Sequence, residues 1–191
     1  MERHENSGVP FYTAENLSLP GIRHAFSSRQ GGVSKDHCAT MNFGSQCGDD
    51  IANVRENFRL FCQAVGVNLE HVVLSDQTHT TNIRNVTPED WGKGPLRPRD
   101  YHDIDGLLTD APQTALFIVA ADCTPILYAD PVKKVVGAAH AGWQGTIHGI
   151  AGDMVNRMVS DYGCNPQDIR AAMGPHIGYC CYEVGKEVFD Q

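Results

Sequence analysis

The sequence predicts an α/β (α+β) fold in which mixed β-sheets pack between α-helices, and three observations carry that expectation. Short strand-like runs are interspersed with helical segments instead of being grouped by type. Two segments, around Ile51–Val65 and Ile147–Met158, place apolar residues at the 3.6-residue spacing of amphipathic helices. The remaining apolar runs, such as "HVVL", "GLL" and "KVVGAAHA", are strand-sized and stop at polar or turn-forming residues.

From the N-terminus, Ile22 to Phe26 reads as a short strand running into a turn at Gly31-Gly32. Asp49 and Asp50 start a helix whose apolar face is Ile51, Val54, Phe58, Phe61, Cys62 and Val65. Gly66 ends it, because glycine accepts the left-handed conformation of a helix C-terminus. "HVVLSDQTH" is a buried strand reaching a polar cluster, and Trp91 to Arg99, with Pro95 and Pro98, is a loop.

"DIDGLLTD" forms a turn and strand, followed by the runs "TALFIVAADC" and "PILYAD", broken at Thr124-Pro125. "KVVGAAHAG" leads through Gly142 and Gly145 into a helix with Ile147, Ile150, Ala151, Met154, Val155 and Met158 on its apolar face. "IRAAMG" is a further strand. Val184 and Val188 open a last helix left unfinished at Gln191, so residues 1–191 read as a single domain lacking its C-terminal part.

Bulk properties narrow the function classes. A chain of 191 residues can bury roughly 70% of its unfolded surface without a disulfide scaffold. A formal charge of −8 argues against nucleic acid and anionic membranes as partners. The N-terminus has no apolar core of a signal peptide, and the run from Ala115 to Ala121 is too short to span a bilayer. Seven cysteines without a C-x-x-C pair point to a reduced, cytoplasmic protein.

Three residues at the ends of apolar runs carry metal-type donors: His79, Cys123 and His140. Two imidazoles and a thiolate suit zinc, and three ligands leave a fourth position for water or substrate. Taken singly, each has an ordinary role, as turn partner or buried small hydrophobe. The alternative chemistry is a Cys–His amidase or deamidase with Cys123 as nucleophile and His140 as base, which leaves His79 without a task. A non-catalytic metal-binding module is a third reading, and phenol oxidation by copper a weaker fourth, since no large histidine cluster is present.

Arg29, between Ser27-Ser28 and Gly31-Gly32, suits a phosphate or carboxylate, or else is a solvated loop arginine. Asn42, Gln77 and Asp105 are turn-type residues by default and substrate-contacting groups in the functional reading. His102, His148 and His176 are further candidates, with His148 on the first turn of the long helix; His4, His24, His37 and His71 read as structural or exposed.

The motifs "HAFSSRQGGVS", "MNFG", "QTH", "DIDGLLTD", "ADCTPILYAD", "AAHAGWQG" and "MGPHIGYCCYEVG", over about residues 20–190, resemble in order those of the laccase-like, or polyphenol oxidase, family. That family is regarded as zinc-dependent purine nucleoside phosphorylases, some described as peptidoglycan-editing factors. The resemblance implies that His79, Cys123 and His140 are catalytic zinc ligands and that Arg29 contacts substrate or phosphate. It implies phosphorolysis of adenosine, inosine or guanosine to base and ribose-1-phosphate, with adenosine deaminase and methylthioadenosine phosphorylase activities beside it; Asp105 or Glu183 would supply the acid/base for deamination. Two departures stand out. Gln144 replaces the arginine usual after "HAGW", and the family's C-terminal segment, with a further cysteine and a serine-tyrosine-arginine stretch, is absent.

Overall fold

The structure, a computed structural model, describes residues 1–190. Its centre is a five-stranded mixed sheet in the order β10-β8-β9-β6-β5, built from β5 (Ile83–Asn85), β6 (Gly106–Thr109), β8 (Thr124–Asp130), β9 (Val135–Ala141) and β10 (Arg170–Met173). Only β5 and β6 run parallel; every other pair is antiparallel. Beside it lie a three-stranded antiparallel sheet of β1 (Glu2–Asn6), β2 (Val9–Thr13) and β3 (Phe26–Ser27), and a parallel pair, β4 (Val72–Leu74) with β7 (Ala115–Phe117). The expected mixed-sheet, single-domain α/β architecture is the one observed.

Helix α1 (Ile51–Val65) follows its local signals. The Asp50 carboxylate accepts from the Ala52 N–H, and Gly66 closes the helix at φ +77°. Its inner face, Val54, Phe58, Phe61 and Ala64, packs with Phe43 and Phe117. Ring centroids 4.9–5.0 Å apart join Phe43, Phe58 and Phe117 in tilted and edge-on contacts. Cys62 is buried as expected, and burial pushes its thiol up to about 12.

The helix expected across Ile147–Met158 is two helices. Helix α2 (Trp143–Ile147) ends at His148, and Gly149 at φ +84° redirects the chain into α3 (Ile150–Tyr162). His148 therefore caps α2 instead of opening the long helix, and Ile147 and Ala151 are exposed. The buried face reduces to Ile150, Met154 and Met158, which cover β9 and β6 beside Leu108, Val135 and Ala139. Because side chains alternate along β9, Val135, Ala139 and Ala141 face α3 and His140 faces the other side of the sheet.

Three strand expectations are corrected. The strand read over Ile22–Phe26 reduces to Phe26–Ser27, paired with Phe11 and Tyr12 of an N-terminal hairpin. "TALFIVAADC" forms a strand only over Ala115–Phe117, and the chain then bends through Cys123. Thr124-Pro125 does not break a strand but begins β8, with Pro125 opposite His140 at the sheet end where its missing N–H is tolerated. A short helix α4 (Lys186–Phe189) lies where the last helix was expected.

Candidate metal centre

His79, Cys123 and His140 meet at one end of the central sheet. One donor atom from each lies within 4.8 Å of the other two, and the Cys123 Sγ is 3.7 Å from His79 Nε2. Tetrahedral zinc bonded at ordinary lengths separates its nitrogen and sulfur ligands by about 3.4–3.6 Å, so the set closes on an ion with small side-chain movements. The imidazole rings are 5.0 Å apart and inclined at 71°. His140 is buried, Cys123 half-buried and His79 exposed, so the site opens to solvent on the His79 side.

Each donor reaches the site by a different route. His140 belongs to β9, and Cys123 stands immediately before β8, the neighbouring strand. His79 lies in the loop beyond β4 instead of at a strand end, with a left-handed backbone at φ +67°. Gly142, which follows β9, makes room: a Cβ there would strike the His79 ring and lie 3.3 Å from Cys123 Sγ.

Asp105 organises this arrangement. Fully buried just before β6, it receives His140 Nδ1–H and the His79 N–H on Oδ1, at 2.8 and 3.1 Å. Its Oδ2 receives the N–H groups of Thr78 and Thr80 at 3.1 and 2.9 Å, and the Thr80 hydroxyl at 3.0 Å. With Nδ1 so engaged, His140 keeps its Nε2 lone pair for a metal. Burial alone would raise the Asp105 carboxyl, but the bonds from His140, Thr80 and Thr78 outweigh it and hold the group below the usual aspartate range. The Cys123 thiol moves the other way, raised by burial and then by the charges of Asp122 and Asp105.

The other expected site residues are placed as follows. The Gln77 amide brackets the next loop, accepting from Val119 N–H at 2.8 Å and donating to the Val119 carbonyl at 2.5 Å. The exposed Arg29 guanidinium donates through Nε and Nη2 to the Ala39 carbonyl. Asn42 braces its own loop through Gly44 and Asp49. None of these bonds reaches the metal donors. His102 is an exposed partner of Asp76, His176 Nδ1 meets the Gly174 carbonyl, and Gln144 is exposed on α2. Sequence reasoning passed over Thr78, Thr80 and Gly142; the threonines flanking His79 and the glycine after "AHA" were the available signals.

The donor chemistry fits zinc: two imidazole nitrogens and one sulfur, three ligands, one open side. Among the described residues no fourth histidine, cysteine or carboxylate joins the group, which distinguishes it from a closed structural site.

Comparison with known proteins identifies the family. Residues 23–191 match the family model described as multi-copper polyphenol oxidoreductase laccase. The chain is 38% identical over 169 residues to purine nucleoside phosphorylase YlmD of Bacillus subtilis, covering 86% of this chain and 60% of the relative. It is 36% identical to the human purine nucleoside phosphorylase LACC1, covering 86% of this chain and 36% of that protein. The crystal structure of YlmD from Geobacillus stearothermophilus superimposes with a TM-score of 0.87 at 36% identity, over 98% of this chain and 69% of that one. The chain thus spans about 60% of the length of its Bacillus subtilis relative. Motif order, fold and family match together show that the chain belongs to the multi-copper polyphenol oxidoreductase laccase family.

Proposed function

We propose that this chain acts as a zinc-dependent purine nucleoside phosphorylase, splitting adenosine, inosine or guanosine with phosphate into base and ribose-1-phosphate. The observation that carries the reading is the three-donor group held by Asp105 and open on the His79 side. The names of the relatives supply the substrate class. Bound zinc supplies Lewis acidity at the open face.

The chain's own residues do the rest. His79, Cys123 and His140 hold the ion, and Asp105 keeps the proton on His140 Nδ1. Arg29, whose Nη1 takes no part in the Ala39 contact, offers positive charge to phosphate as it attacks the anomeric carbon and the purine departs. Asn42 and Gln77 set the loops that border substrate. For adenosine deamination, Asp105 is buried and committed to five donors, so of the two acids named from the sequence, Asp105 and Glu183, it is the less suited to carry the proton. Methylthioadenosine phosphorolysis would use the same arrangement.

The thiol chemistry of an amidase fits less well. The imidazole beside Cys123 is His79, not His140, whose Nδ1 faces Asp105, and the metal-free thiol is raised instead of lowered.

Metal analysis combined with a phosphate-dependent assay on the three nucleosides tests the proposal. Cys123→Ala should lose both bound zinc and ribose-1-phosphate formation. Full turnover in the zinc-free protein would overturn it.

A further inference from the structure

A second pair of sulfurs lies outside the metal centre. Cys38 and Cys47 are nine residues apart, with Sγ atoms 3.2 Å from each other. Cys47 is exposed and Cys38 half-buried, so small reagents reach them. The other cysteines lack this combination. Cys62 and Cys164 are buried with thiols pushed up to about 12, Cys123 faces the histidines, and Cys180 and Cys181 are chain neighbours whose direct bridge would be strained.

The surroundings preorganise the pair. The Asn42 amide lies 3.2 Å from Cys47 Sγ, and the His37 ring meets the Cys47 carbonyl at 2.8 Å. These contacts hold both ends of the loop at the separation seen. A disulfide bond is about 2.05 Å long, so closure asks for roughly 1 Å of approach between two accessible side chains.

We propose that Cys38 and Cys47 form a reversible disulfide when the protein meets a small-molecule disulfide such as oxidised glutathione. Cys47, the more exposed of the two sulfurs, makes the first attack, while the hydrogen bond between them raises the Cys38 thiol to about 11. As a thiolate, Cys47 bonds to one glutathione sulfur and expels the other half as a thiolate. Cys38, on losing its proton, then attacks the Cys47 sulfur and expels the second glutathione. Two protein thiols are oxidised and one glutathione disulfide is reduced to two thiols, with no metal required. The bond fastens the loop around Asn42.

The whole chain, with zinc bound, is incubated with oxidised glutathione, acid-quenched, alkylated with iodoacetamide and cleaved by trypsin. Cutting after Lys35 and Arg55 releases one peptide holding Cys38 and Cys47 and no other cysteine. The expected product is that peptide lighter by two hydrogen atoms and carrying no alkyl group. It should form at least about tenfold faster in the folded protein than in urea, because the fold holds the sulfurs together. In Cys47→Ser, Cys38 should appear only as free thiol or glutathione adduct. A doubly alkylated peptide, separate glutathione adducts on both sulfurs, or equal rates in folded and unfolded protein would overturn the proposal.

Discussion

Asp105 Oδ1 lies 2.8 Å from His140 Nδ1, and the same carboxylate gathers the backbone N–H groups of Thr78, His79 and Thr80. One buried side chain thus sets the tautomer of one metal donor and the backbone of another. Asp105→Asn keeps the shape but turns one acceptor oxygen into an N–H donor facing existing donors. Zinc affinity should fall about 10–100-fold, and metal-free stability by about 3 kcal/mol. Competition with a chromophoric chelator and urea denaturation measure the two effects. An unchanged zinc affinity would remove Asp105 from the site's support.

The same carboxylate gives the site an acid limit. Its native pKa is depressed, so the folded protein binds fewer protons there than the unfolded chain does in acid. Its stabilisation is complete above the unfolded aspartate value near 3.9 and is lost as pH drops through the lower native value. The stability gap between the wild type and Asp105→Asn should therefore narrow as pH falls below about 4. Urea midpoints in chelator, taken across that range, isolate Asp105 because the other depressed carboxylates are common to both proteins. A gap that does not narrow in acid contradicts this account.

Gly142 sits at φ −73°, ψ 176°, a conformation alanine adopts freely, so only space forbids a side chain there. The added methyl of Gly142→Ala would meet the His79 ring and crowd Cys123 Sγ. The overpacking should cost about 1–3 kcal/mol in the metal-free protein. Because His79 is the donor displaced, zinc binding should weaken by at least about tenfold. Isothermal titration with zinc, set beside chelator-treated denaturation curves, separates the two effects. Zinc binding equal to wild type would show that the ring has room to move.

The elements legible in the sequence were those fixed by near neighbours. Asp50, the apolar spacing and Gly66 define α1 between them. The interruption at Gly149 was hidden because the apolar period runs on across it, and only the left-handed backbone divides α2 from α3. Strand β1, "ERHEN", has no apolar face; its pairing with β2 makes it a strand. The donors His79, Cys123 and His140 were visible as residue types ending apolar runs, whereas Asp105 shows its part only through bonds across the fold. Gln77 is similar: its amide supplies Val119 with the donor and acceptor that a strand neighbour would, a contact spanning 42 positions.

His79 itself carries a backbone cost. At φ +67° it occupies a region that residues other than glycine and asparagine enter at about 1–2 kcal/mol. That turn lets three successive N–H groups converge on one carboxylate, an anion nest whose anion is Asp105. Both His79→Gly and His79→Ala delete the metal donor, so neither should bind zinc as the wild type does. They differ only in tolerance of the left-handed backbone. In chelator, His79→Gly should be the more stable by about 1 kcal/mol, the relief of strain exceeding glycine's extra unfolded-state entropy. Matched urea curves decide it: if His79→Ala is equal or better, the loop has relaxed out of the left-handed turn, and Asp105 is not holding it there.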